Sequence, residues 1–256
     1  MDNEKSIIEK AKNSFTRAFF VSEYTNILKD DEHLNNILKE MKVMPGGKIL
    51  DLGTGTGYLA FPLAKMFPNC KVIGLDLADT IMMNNNERAS KEGLTNLHFL
   101  SYDGESFPLD CNYLNNVVTR YAIHHFPNLN KTFKTLGEVV APGGQFFISD
   151  PVPNEDDENK IIDKYMSVKD DGHVKFYTKD EFESLLKNYG FETDVYFYSN
   201  MDVAFPERED YVRITSMIDK KMHDSYNIKI IDNRVHMRLR ILNISFFKSK
   251  LSNFTV

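Results

Sequence analysis

The sequence of 256 residues contains no tryptophan, two cysteines, and no apolar run approaching the roughly 20 residues needed to cross a membrane. Cys70 and Cys111 are too few and too far apart for a disulfide framework or a metal-ligand spacing, which favours reduced thiols. Excess positive charge is also missing. The formal net charge is −6, and the summed field repels a nucleic-acid backbone, so no nucleic-acid partner is expected. The first residues, MDNEKSIIEKAKNSF, mix acids and bases and lack the apolar centre of a signal peptide. A cytoplasmic location without membrane association is the expectation. Neither an internal repeat nor a low-complexity tract is present.

What is present is ordinary globular chemistry, with 42 % hydrophobic and 27 % charged residues. Residues 1–44 read as helices, with Leu34, Ile37, Leu38 and Met41 at helical spacing behind the acidic start Asp30-Asp31-Glu32. Pro45-Gly46-Gly47 ends that pattern. Short apolar runs then alternate with amphipathic segments: KILDL, a helix over about 57–66, KVIGLD, a helix over about 80–92, and NLHFLSYD. NNVVTRYA, a helix over about 130–140, the turn Pro142-Gly143-Gly144 and QFFISD follow. This rhythm predicts βαβ crossovers and an open α/β sheet covered on both faces.

After Asp150 comes the polar stretch PVPNEDDENK, whose acids Glu155 to Glu158 read as a solvated loop. They are consecutive rather than spaced, so no metal site is expected. Thr178-Lys-Asp-Glu181 is a capping box opening a helix. Strands are expected over 191–198 and 237–247, with a helix over about 207–222 between them.

The chemistry concentrates at strand ends. KILDL runs into Asp51-Leu-Gly-Thr-Gly-Thr-Gly57, a loop that lets backbone amides approach a ligand with a helix N-terminus behind them. A nicotinamide fingerprint wants its third glycine at 58, where Tyr58 stands. Alternate glycines after an Asp suit an amino-acid carboxylate and a ribose, and the Asp offers a partner for an ammonium group. Asp76, 19 residues beyond Gly57, ends the next strand where an acid accepts from ribose hydroxyls. Asp103, in SYDG, ends the third strand and is placed to accept from an adenine amino group. His124 and His125 follow the fourth strand; neighbouring residues there point in different directions, so one faces the site while the other packs. Asp150 is either a site acid or the turn residue before Pro151, and His173 lies in the polar excursion.

DLGTGTG, GLD, SYDG, TRYAIHHF and VAPGG, in this order, resemble the class I S-adenosylmethionine-dependent methyltransferases. TRYAIHHFPN and DDGHVKFYTKDEF are similar to small-molecule members related to the ubiquinone and menaquinone C-methyltransferases. The resemblance implies a Rossmann-like doubly wound sheet of seven strands, mostly parallel with the last antiparallel. It implies a helical N-terminal lid (1–44) with Phe15, Phe19, Phe20 and Tyr24, and a catalytic domain (45–256) with substrate-covering insertions at 151–177 and 199–225. It assigns Asp51, Gly53, Thr54, Gly55 and Gly57 to the methionine part of the cofactor, Asp76 to the ribose, and Asp103 with Gly104 to the adenine. Leu77 and Met82 flank the nucleoside, and Arg120 and Tyr121 sit beside the sulfonium. His124, His125, Asp150 and His173 are the catalytic candidates. In-line displacement is achieved mainly by alignment and water exclusion, so a dedicated base is optional. The expected acceptor is a small aromatic or lipophilic metabolite, with Phe176, Tyr177, Phe197, Tyr198 and Phe205 as pocket candidates. A methyltransferase acting on RNA or protein, or a non-catalytic S-adenosylmethionine-binding protein, is the alternative, and a homodimer fits the aromatic C-terminal region.

Overall fold

The computed structural model describes residues 2–18, 31–104 and 106–250. Phe19, Phe20 and Tyr24 of the expected lid lie outside them. Two helices, α1 (Asp2–Ala18) and α2 (Asp31–Glu40), precede the sheet. The alternating part follows as β1 (Lys48–Leu52), α3 (Ala60–Met66), β2 (Lys71–Asp76), α4 (Asp79–Lys91), β3 (Leu97–Ser101), β4 (Leu114–Arg120), α5 (Leu129–Val139) and β5 (Val140–Val152). Then come α6 (Ile161–Ser167), α7 (Lys179–Lys187), β6 (Phe191–Ala204), α8 (Glu209–Ser216), α9 (Lys220–Ser225), β7 (Lys229–Ile231) and β8 (Arg234–Lys248).

The sheet order is β3-β2-β1-β4-β5-β8-β6, with β1 to β5 parallel and β8 antiparallel to both β5 and β6. Because side chains alternate across a strand, the two faces carry separate cores. Leu50, Leu52, Val117, Phe146 and Ile148 pack under α5 and α7. Ile49, Val72, Val118 and Phe147 pack under α2, α3 and α4. A third cluster, with Tyr165, Phe205, Tyr211, Tyr226 and Met237, joins α6, α8 and α9 to the far ends of β6 and β8.

Polar side chains tie α2 to the sheet. His33 Nε2 pairs with Ser149 Oγ at 3.0 Å, Ser149 Oγ donates to Asn243 Oδ1 at 2.8 Å, and Gln145 Nε2 donates to Glu40 O at 2.9 Å.

Among the described residues the sheet follows a path of seven strands, as expected, with an eighth, short β7, paired to β8 off that path. Asp232 and Asn233, with φ of 49° and 58°, form a two-residue turn that pairs Ile231 with Arg234 and adds the short β7. The single helix expected over 207–222 is two, separated near Asp219, whose side chain accepts from Met222 N and caps the second. Helix α6 lies in the stretch without a helical pattern. Asp157, expected in solvent, is 4 % exposed. Its carboxylate accepts from the amides of Ile161 and Ile162 and from the Tyr226 hydroxyl, which is why it is drawn inside. Pro142-Gly143-Gly144 is absorbed into β5, where the register with β4 shifts between Leu114 and Asn116. The capping box forms as read: Thr178 Oγ1 accepts from Glu181 N, and Glu181 Oε2 accepts from Thr178 N. Among the described residues no helix is long and apolar enough to cross a membrane.

Phe146 is fully buried, with edge contacts to Phe133 and Phe191 at 6.0 and 6.2 Å. Phe146→Ala is expected to cost about 3–5 kcal/mol, read as a lower urea midpoint at unchanged slope.

Candidate active site

A cavity of about 810 Å³ lies at the carboxyl ends of β1 to β5, the edge where open α/β sheets bind ligands. Its first wall is the loop after β1. Gly53, Gly55 and Gly57 have φ of +72°, +49° and +80°. A Cβ on Gly53 would stand 2.4 Å from that of Ala122, so the loop can press against β4 only with glycine there. The amides of Gly53 and Thr54 both donate to Leu75 O, at 2.8 and 3.1 Å.

Two buried acids hold this wall. Asp51 Oδ2 accepts from Thr54 Oγ1 at 2.7 Å and Ala60 N at 3.1 Å. Burial raises its pKa from 3.8 to about 7 against those hydrogen bonds, with Asp76 raising it further and Arg120 lowering it. Asp76 Oδ2 accepts from Gly55 N at 2.8 Å, and Oδ1 accepts from Leu77 N and Ala78 N at 2.7 and 3.3 Å. Burial raises this carboxyl too, opposed by the same three amides.

The second wall is built of histidines. His124 Nδ1 pairs with Asp150 Oδ2 at 2.8 Å, and His173 Nε2 with Asp163 Oδ1 at 2.8 Å. The His124 ring lies 4.2 Å from His125, 5.4 Å from His173 and 5.0 Å from Phe176, centroid to centroid. Burial holds both His124 and His125 well below the ordinary imidazole range, assisted for His124 by His173 and Lys169. Burial pushes Asp150 well above the carboxylate range, opposed by His173 and by the amides of Ala122, His124 and Ile123. Both shifts disfavour charge in a dry site.

Most residues singled out from sequence meet at the cavity: Asp51, Gly53, Thr54, Gly55, Asp76, Leu77, Gly104, Arg120, Tyr121, His124, His125 and His173 line it. Four stand back from it. Asp150 lies behind His124, and Gly57 faces Phe61 and Phe99 in the core. Met82 is 2 % exposed within the α4 core, and Asp103 is exposed with Oδ1 accepting from Ser106 N at 2.8 Å. Of the aromatic candidates, Phe176 and Phe205 line the cavity, whereas Tyr177, Phe197 and Tyr198 do not. Sequence reasoning missed Asp163, Tyr58, Lys169 and Met201. Asp163 reaches His173 only through α6, a helix with no periodic signature.

The methyltransferase domain family matches this chain over residues 44–190. The chain belongs to that family. Among methyltransferase relatives, YcgJ of Bacillus subtilis strain 168 is 23 % identical over 163 residues, covering 62 % of each chain. Demethylmenaquinone methyltransferase of Chlorobaculum tepidum is 28 % identical over 169 residues, 65 % of this chain and 62 % of that one. Sterol 24-C-methyltransferase of Debaryomyces hansenii is 29 % identical across 63 % of this chain and 44 % of its own length. The chain thus spans less than two thirds of these curated relatives. The crystal structure of YcgJ superposes with a TM-score of 0.75 at 19 % identity, over 85 % of this chain and 98 % of that one, a likeness of fold. The methyltransferase family match begins just before β1 and ends just before β6.

The folded Asp51 holds its proton more tightly than the unfolded chain, whose pKa is near 3.8. Its contribution to stability therefore falls as pH rises from about 4 to about 7, by on the order of 4 kcal/mol, and is flat above. Asp51→Asn should remove that slope, making denaturant midpoints at pH 5 and pH 8 more nearly equal than in the wild type. Parallel pH profiles would show Asp51 ionised throughout.

Proposed function

We propose that the protein is an S-adenosylmethionine-dependent methyltransferase acting on a small aromatic or lipophilic acceptor. The observation that carries this reading is one cavity walled both by the glycine loop with Asp51 and Asp76 and by the His124–Asp150 pair. The loop fits the cofactor. Gly55 lines the cavity with open space where a Cβ would stand, and Asp51 is placed for an ammonium group. Asp76 keeps lone pairs for ribose hydroxyls beyond the three amides it already accepts. About 810 Å³ suits a nucleoside cofactor together with a small acceptor.

When bound, the cofactor supplies an electrophilic methyl group. The chain's part is to align the acceptor, exclude water and take up a proton where the acceptor has one to lose. Once the His124–Asp150 pair has lost its proton, a neutral His124 donating Nδ1–H to the Asp150 carboxylate leaves Nε2 to accept one. Phe15, Met166, Phe176, Met201 and Phe205 give the cavity an apolar lining for the acceptor. In this reading α1, whose Ile8, Ala11 and Phe15 line the cavity, serves as the lid, and the insertions 151–177 and 199–225 contribute Met166, Phe176, Met201 and Phe205 to its lining. Relatives named for demethylmenaquinone, sterol and arsenite methylation support a small acceptor.

Calorimetry with S-adenosylhomocysteine should show binding that Asp76→Ala abolishes; an intact fold without binding would overturn the reading. Once an acceptor is found in a metabolite panel, His124→Asn should lower kcat by about 10²–10⁴ with KM for the cofactor little changed. The wild-type rate should rise with pH as the His124–Asp150 pair loses its proton, and the variant's should not.

A further inference from the structure

Arg120 is 8 % exposed and lines the cavity, yet its Nε and one terminal nitrogen are buried with no hydrogen-bond partner. A guanidinium cannot shed its charge, so an unmet one is held there by something else. Two rings do so: Cζ lies 4.0 Å from the ring centres of both Tyr58 and Tyr121. Tyr121 adopts φ +52°, a strained conformation for a bulky residue, and the His33 ring stacks on it at 5.5 Å. The ring faces lie over the guanidinium, and Nε and one terminal nitrogen keep N–H donors in its plane for a planar anion. Asp51, the nearest acid along the loop, has committed Oδ2 to Thr54 and Ala60.

The geometry points to Arg120 as the receptor for the α-carboxylate of the cofactor's methionine part, an inference that rests on the methyltransferase reading above. Tyr58 directly follows Gly57, so the loop that receives the methionine part also clamps the guanidinium. A guanidinium and a sulfonium in one cavity repel each other, and a carboxylate brought in by the cofactor itself offsets both. A planar fork meets a carboxylate through two parallel hydrogen bonds, which Lys could not reproduce.

The test is calorimetry on the full chain with S-adenosylhomocysteine and with its decarboxylated counterpart, in wild type and Arg120→Met. The wild type should prefer the carboxylate-bearing ligand by on the order of 10²-fold, and Arg120→Met should bring the two affinities within a few-fold of each other by weakening the first alone. Equal weakening of both ligands, or unchanged discrimination, would overturn the assignment. So would intact discrimination with a raised KM for the acceptor alone, which would give the anion to the acceptor. Should Arg120→Met fail to fold, Arg120→Lys serves in its place: it keeps the charge but not the planar fork, so it should lose most of the discrimination by weakening the carboxylate-bearing ligand alone, and unchanged discrimination would overturn the assignment. Failure of the wild type to bind either ligand would instead remove the methyltransferase reading.

Discussion

The junction between the ends of β1 and β2 is the constraint on which the site depends. One carbonyl, Leu75 O, receives two amides of the glycine loop, and one carboxylate, Asp76, receives the amides of Gly55, Leu77 and Ala78. These bonds turn a flexible glycine segment into a fixed wall, and they can form only because Gly53 sits where a side chain would strike Ala122. The same packing brings the segment after β4 against the loop, so Arg120, Tyr121 and the histidines are placed by it. A carboxylate in so dry a position is disfavoured by burial, and the amides recover part of that cost.

Across the cavity, charge is handled by pairing. His124 with Asp150 and His173 with Asp163 each pair a histidine with an acid, 26 and 10 residues away. Burial presses both members of the first pair toward neutrality, so Nε2 becomes an acceptor only when the proton held on the Asp150 side leaves the pair. Arg120 is buried at the cavity between two tyrosine rings, with two of its nitrogens unmet by any oxygen. That imbalance marks the side on which an anion is wanted.

The sheet and the loop were legible in the sequence because both leave local signatures. Five parallel strands and their helices follow from alternation of apolar runs, and Asp51, Gly53, Gly55 and Asp76 follow from their positions at strand ends. What escaped was held by tertiary contacts. Helix α6 is capped from Asp157, four residues ahead of its first turn, through a residue with left-handed backbone at Lys160, so no capping box announces it. Asp163, which α6 carries, therefore had no place beside His173 until the chain was folded. The turn at Asp232-Asn233 did carry a signal, since both residue types tolerate positive φ, but three-residue β7 is too short to show alternation. Asp103 shows that a strand-end acid can also cap its own turn, with Oδ1 accepting from Ser106 N.

The family match and the cavity do not share boundaries, and this bears on how the acceptor should be argued. Asp51 to His173, with the loop, the histidines and Arg120, all fall within residues 44–190. Ile8, Ala11 and Phe15 fall before it, and Met201 to Pro206, Arg234 and Leu239 fall after it. The matched part thus supplies the wall read as the cofactor side together with the proton-handling pair, while much of the apolar lining comes from outside. Relatives that share the matched part can differ in this outer lining. Likeness to enzymes named for a quinone, a sterol or arsenite therefore constrains the chemistry of transfer more than its target. The target must be sought in the surface formed by α1, the end of β6 and the start of β8, which lie outside the matched residues.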